Sequence, residues 1–119
     1  MITGAHTIIH ATDAAAARAF FRDVLGLPNV DAGDGWLIFK SPPAEVAVHP
    51  ADPLDSGHIQ LYLMCDDLEA TIAELRAKGV EFVDGITQAG WGRIITLEVP
   101  GAGPLGLYQP YHPVAHNLV

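Results

Sequence analysis

The chain has 119 residues, half of them hydrophobic, which is enough for one domain with a real core and too little for two. Six Lys plus Arg stand against fourteen Asp plus Glu, a net charge of -8 that repels phosphate backbones and argues against a nucleic-acid partner. Cys65 is the single cysteine, so no internal disulfide forms, and no apolar run approaches a membrane span. The opening MITGAHTIIHATD has no basic segment ahead of an apolar one, so a soluble cytoplasmic protein is expected.

A β-prone run, HTIIHA at 6–11, comes first. A helix follows from Asp13: Ala17, Phe20, Phe21 and Val24 form an apolar stripe, Thr12 or Asp13 caps its start, and Gly26 suits a left-handed stop. Short strands are expected at 29–32 (a weaker run), 36–40 and 45–49, with the turn SPP at 41–43 between the last two. After the linker, HIQLYLMC at 58–65 repeats the opening strand. Asp66 or Asp67 then caps a helix whose stripe is Leu68, Ile72 and Leu75 and whose stop is Gly79. Further strands are expected at 80–83, 93–99 and 105–109, with GITQAGWG at 85–92 as a connecting loop. The tail, 111–119, has no periodicity and is expected to be mobile at its end.

Asp13 maps onto Asp67 with a shift of 54, and Gly26 onto Gly79 with a shift of 53. The chain is thus an α+β fold of two tandem βαβββ modules: module one at 1–50, a linker at 51–57, module two at 58–110 and the tail. Each module has a helix for only one side of its sheet, so helices take the outer face. The other side curves around a cleft or packs on a partner chain. Strand alternation puts His6, Ile8 and His10 on one face, with His58, Gln60, Tyr62 and Met64 matching them, and Glu45, Ala47 and His49 on another shared face. These polar sets point into the cleft. Trp36, Trp91 and Tyr108 supply aromatic surface; Trp91 sits between Gly90 and Gly92, which suits a lid over an apolar ligand or a plug beneath the loop. Cys65 reads as inert core, and His112 and His116 as bystanders in the tail. Nothing resembles a nucleophilic triad, a phosphate-cradling loop or a nucleotide fingerprint.

His6 seven residues before Asp13, the run FFRDVLGL at 20–27, DDLEATIAELRAKGVEF at 66–82 and the closing GPLGLYQP resemble the vicinal oxygen chelate superfamily of glyoxalases, extradiol dioxygenases and bleomycin-resistance proteins. That resemblance implies an incomplete barrel around the cleft, commonly in homodimers. It also implies a divalent metal (Fe, Mn, Ni or Zn) held from the first and last strands of each module. His6 and Gln60 take the first-strand positions. The last-strand carboxylate of module two is replaced by Gly106, and a third ligand has to come from Glu45, with His49 or His58 as the other sources.

Three functions stay open at this point. The first is a protein that binds a small organic molecule among His6, His10, Trp36, His49, His58, Gln60, Tyr62, Trp91 and Tyr108 without a complete metal site. The second is a metal-dependent enzyme of the glyoxalase or ring-cleaving dioxygenase type, using His6, Gln60 and Glu45. The third is a module with a filled cleft that acts through a partner protein.

Overall fold

A computed structural model describes residues 6–54 and 56–118. Two helices, α1 (Ala14–Asp23) and α2 (Leu68–Ala77), accompany six strands: β1 (Asn29–Asp31), β2 (Leu37–Phe39), β3 (Tyr62–Met64), β4 (Thr87–Ala89), β5 (Gly92–Val99) and β6 (Gly103–Pro110). β1 and β2 form an antiparallel pair. The remaining four make a mixed sheet in the order β3-β6-β5-β4, with β3 parallel to β6 and the other pairs antiparallel. The fold is α+β, and the sheets do not close into a barrel.

The two helices start and stop by the same chemistry, as their matched sequences predict. Asp13 Oδ1 accepts from the Ala16 amide at 3.0 Å, and Asp67 Oδ1 from the Ala70 amide at 3.1 Å, each satisfying an orphan donor of the first turn. Gly26 and Gly79 follow the helices at φ of +67° and +86°, backbone that a side chain would strain.

Register decides which face of the sheet is core. Leu105 and Leu107 of β6 and Ile95, Leu97 and Val99 of β5 turn one way, onto Leu68, Ile72 and Leu75 of α2. Ala17 and Phe20 of α1 join the same cluster, so both helices serve one face of one sheet. The start of α1 is tied to the β5–β6 turn, where the Asp13 amide and the Thr12 hydroxyl both donate to the Gly101 carbonyl, at 3.0 and 3.1 Å. Lys78 Nζ, beyond the end of α2, reaches the Val24 carbonyl after α1 at 3.3 Å.

Module two forms most of its expected sheet, whereas module one forms only the β1–β2 pair among the described residues. The expected strands at 6–11 and 45–49 are absent over the described residues, because a strand needs a hydrogen-bonded neighbour and the described residues offer these segments none. The run at 80–83 contributes a single bridge, Phe82 to Leu97, flanked by amide bonds from Val83 to Thr96 and from Glu98 to Glu81. The expected loop at 85–92 instead holds β4, whose register sets Ala89 against Gly92 in a tight hairpin. The pairing of β6 with β5 continues one residue into the tail, where the Tyr111 amide donates to the Trp91 carbonyl at 2.9 Å, and the Leu118 amide donates to the Ala115 carbonyl.

Candidate functional site: an aromatic wall on the face opposite the helices

Alternation along β6 turns Gly106 and Tyr108 away from the core, and the register places Tyr62 beside Gly106 and Met64 beside Tyr108. Trp91, from the β4–β5 turn, joins them. Tyr62 and Trp91 meet edge-to-face at 5.8 Å between ring centroids, Tyr62 and Tyr108 at 5.8 Å, and Trp91 and Tyr108 at 5.0 Å. Each contact has the tilted quadrupole geometry that aromatic pairs prefer.

Gly106 makes this packing possible. A Cβ built there would overlap the Tyr62 ring. Gly92 plays a similar part at the other end of the wall: a Cβ there would come within 2.7 Å of the Gln109 carbonyl and 3.2 Å of the Tyr108 ring. The position where the family resemblance implies a metal-binding carboxylate is therefore occupied by a tyrosine ring seated on a glycine.

Glu45 approaches the wall from the long segment between β2 and β3. Its Oε1 accepts from the Tyr108 hydroxyl at 3.4 Å, and its Oε2 from the Ala115 amide at 2.7 Å. The Ala115 N–H foremost, then the neighbouring His112 imidazole and the Tyr108 hydroxyl, hold the Glu45 carboxyl below the usual carboxylate range, against the opposing effect of desolvation. Burial first, and the Glu45 charge second, push the Tyr108 phenol up. His112 stacks obliquely on Tyr108 at 6.0 Å, with Nε2 3.2 Å from the Tyr108 hydroxyl. Its Nδ1 lies 2.8 Å from the Pro113 carbonyl, which only accepts, so that nitrogen carries the hydrogen.

Of the residues singled out in the sequence, the structure thus brings together Tyr62, Trp91, Tyr108 and Glu45. His6, His10, His49, His58 and Gln60 are exposed, in segments without regular structure. Trp36 stands in the β1–β2 turn with the Arg18 guanidinium 4.7 Å above its ring. His112, read from sequence as a bystander, belongs to the cluster. It stands four residues beyond Tyr108 where the chain leaves β6, in a stretch whose lack of periodicity does not mark it.

A metal does not fit this arrangement as it stands. Among the described residues, no three His, Cys, Asp or Glu side chains are grouped to hold an ion. Both Glu45 oxygens already accept hydrogen bonds, and the Tyr62 ring takes the space a ligand at residue 106 would need. No helix among the described residues is long and apolar enough to cross a membrane.

Comparison with known proteins agrees with this architecture. The chain is similar over 92% of its length, and 98% of the other, to the antibiotic-binding protein TnmS3 from Streptomyces sp. CB03234, at 26% identity and a TM-score of 0.65. A glyoxalase/bleomycin resistance protein from the same organism is 27% identical, covering 85% of this chain and 95% of that one, with a TM-score of 0.57. A lactoylglutathione lyase from Agrobacterium tumefaciens shares the fold at 19% identity, 90% and 92% coverage and a TM-score of 0.64. No curated protein sequence matches. The family profile that matches spans residues 4–106, nearly the whole chain up to the tail. The chain belongs to the Glyoxalase/Bleomycin resistance protein/Dioxygenase superfamily.

Proposed function

We propose that this protein binds a small organic molecule with an aromatic portion, on the wall formed by Tyr62, Trp91 and Tyr108, without a complete metal site. The observation that carries this reading is the Tyr62 ring packed onto Gly106, which substitutes an apolar surface for a charged ligand position. Edge and face contacts to three rings favour a flat, polarisable ligand over a small polar one. The similarity to an antibiotic-binding protein at 26% identity supports binding of a small molecule. The net charge of -8 draws in a ligand bearing positive charge.

The working unit in this reading is a homodimer in the cytoplasm. Val46 and Val48 are each 92% exposed, Ile59 85% and Ile8 67%, on segments whose alternation marks them as strands lacking partners. The Cα radius of gyration, 15.3 Å, exceeds the roughly 13.5 Å of a compact chain of this length. A second copy that pairs with these segments covers Val46 and Val48. It also brings His6, His10, Trp36, His49, His58 and Gln60 to the opposite wall of the cleft.

Titration with a panel of aromatic antibiotics and simpler polycyclic amines, followed by calorimetry and Trp fluorescence, tests the reading. Saturable one-to-one binding is expected, and absence of heat and of quenching across the panel would overturn it. Metal analysis of untagged protein is expected to give no stoichiometric Fe, Mn, Ni or Zn. A stoichiometric metal lost in His6→Ala would instead establish the metal-dependent reading.

A further inference from the structure

We propose that residues 111–118 form a strap across the Tyr108 end of the aromatic wall, latched by Glu45 to the Ala115 amide, and that this latch must open before a ligand reaches Tyr108. The inference rests on the wall being the binding surface, but its test does not require a ligand.

The strap lies beyond the stretch matched by the family profile, which ends at residue 106. It is fastened at both ends to pieces of the site. At one end the Tyr111 amide bonds the Trp91 carbonyl at 2.9 Å, and Gln88 Nε2 donates to the Tyr111 hydroxyl at 2.7 Å. At the other end the Ala115 amide bonds Glu45 Oε2. Between them His112 leans on Tyr108, which is left 8% exposed although its side of the sheet has no helix. The strap's side chains His112, Val114 and His116 border a hollow beside the start of α2, together with Cys65, Asp66 and Gln109.

The two attachments differ in kind. The Tyr111 end is continuous with β6 and extends its pairing toward Trp91, so it is held by the sheet. The Ala115 end rests on a side chain from the segment between β2 and β3, which has no regular structure. Among the described residues, Glu45 supplies the hydrogen bonds that join that segment to the strap and to the sheet. Loss of the Glu45–Ala115 bond therefore frees the strap, and loss of the Glu45 side chain frees the segment opposite it as well, while the sheet beneath keeps its own hydrogen bonds.

The test reads access to the wall with a neutral gadolinium chelate, whose broadening of the Tyr108 ring signals is measured by NMR. Glu45→Ala removes the acceptor and Ala115→Pro removes the donor. Each is expected to raise the broadening roughly threefold, as local opening without global unfolding requires. The double variant is expected to add nothing further, because both changes break the same bond. Glu45→Gln, which keeps a carbonyl acceptor for Ala115, is expected to stay closed. Amide protection in β5 and β6 serves as the control for intact folding and is expected to hold in all four. Unchanged broadening in the single variants, additive broadening in the double, or opening by Glu45→Gln equal to that by Glu45→Ala would each overturn the latch. A chain that shows the latch yet binds no aromatic ligand would refute the function and leave the strap standing.

Discussion

The ring of Tyr62 occupies the space that any side chain on Gly106 would claim, and the two residues are paired across the parallel β3–β6 ladder. Their relationship predicts that the acid missing from this position cannot simply be restored. Gly106→Glu, and even Gly106→Ala, must push the Tyr62 ring off its seat, at a cost of about 1–3 kcal/mol typical of overpacking. Urea denaturation is expected to show that loss, and Tyr62→Ala in the same chain is expected to recover part of it. Full stability in Gly106→Ala would mean that Tyr62 swings aside freely and that the wall is not fixed.

Trp91 contributes two of the three aromatic contacts in the wall. Its replacement by Ala is expected to weaken binding of an aromatic ligand by about 0.5–1.5 kcal/mol per lost ring contact, or roughly two- to tenfold in Kd for each. Calorimetry with wild type and Trp91→Ala checks this. Equal affinities would place the ligand elsewhere.

Exposed Val46 and Val48 make the dimer testable without any ligand. Lys at both positions leaves the described core untouched, since neither residue belongs to it. Light scattering coupled to gel filtration is expected to give twice the chain mass for wild type and the single-chain mass for the double variant. A wild type that elutes as a monomer would leave these valines unexplained.

Leu97 lies at the centre of the described core, with no exposed surface. Leu97→Ala opens a cavity between β5 and the two helices and is expected to cost about 2–5 kcal/mol, read from the denaturation midpoint. A much smaller loss would mean that the helices collapse onto the gap.

Cys65 provides a pH test. Burial foremost, then the negative charges of Asp66 and Asp67, raise its thiol above the usual range, outweighing a lowering hydrogen bond from Thr71. Because the folded value is the higher one, the contribution to stability is fully present below the unfolded thiol value of about 8.5. It is lost as pH rises through the folded value. Alkylation by iodoacetamide is accordingly expected to be slow at pH 8 and to accelerate only at more alkaline pH. Fast alkylation at pH 7 would show a reactive thiolate instead.

Local signals in the chain carried what depends on nearest neighbours. Asp13 and Asp67 as caps, Gly26 and Gly79 as stops, and the stripes Ala17–Phe20 and Leu68–Ile72–Leu75 are written in spacing, because a helix is stabilised by residues three and four apart. The α+β class and the family followed from the same grammar, repeated once. Glu45 and Tyr108 could be singled out by strand alternation, but not joined to each other.

Tertiary structure alone decided the rest. Residues 6–10 and 45–49 have the alternation of strands, yet alternation specifies a face and not a partner, and among the described residues no neighbour completes their hydrogen bonds. His112 meets Tyr108 four residues before it, where the chain leaves β6, but both meet Glu45 only because a segment 63 residues before Tyr108 is brought against the sheet, which no short-range pattern encodes. The absence of a side chain at Gly106 was plain from the sequence as a missing ligand. That the gap is filled by the ring of Tyr62, from a strand 44 positions earlier, required the register of β3 on β6, which is set by packing over the whole sheet.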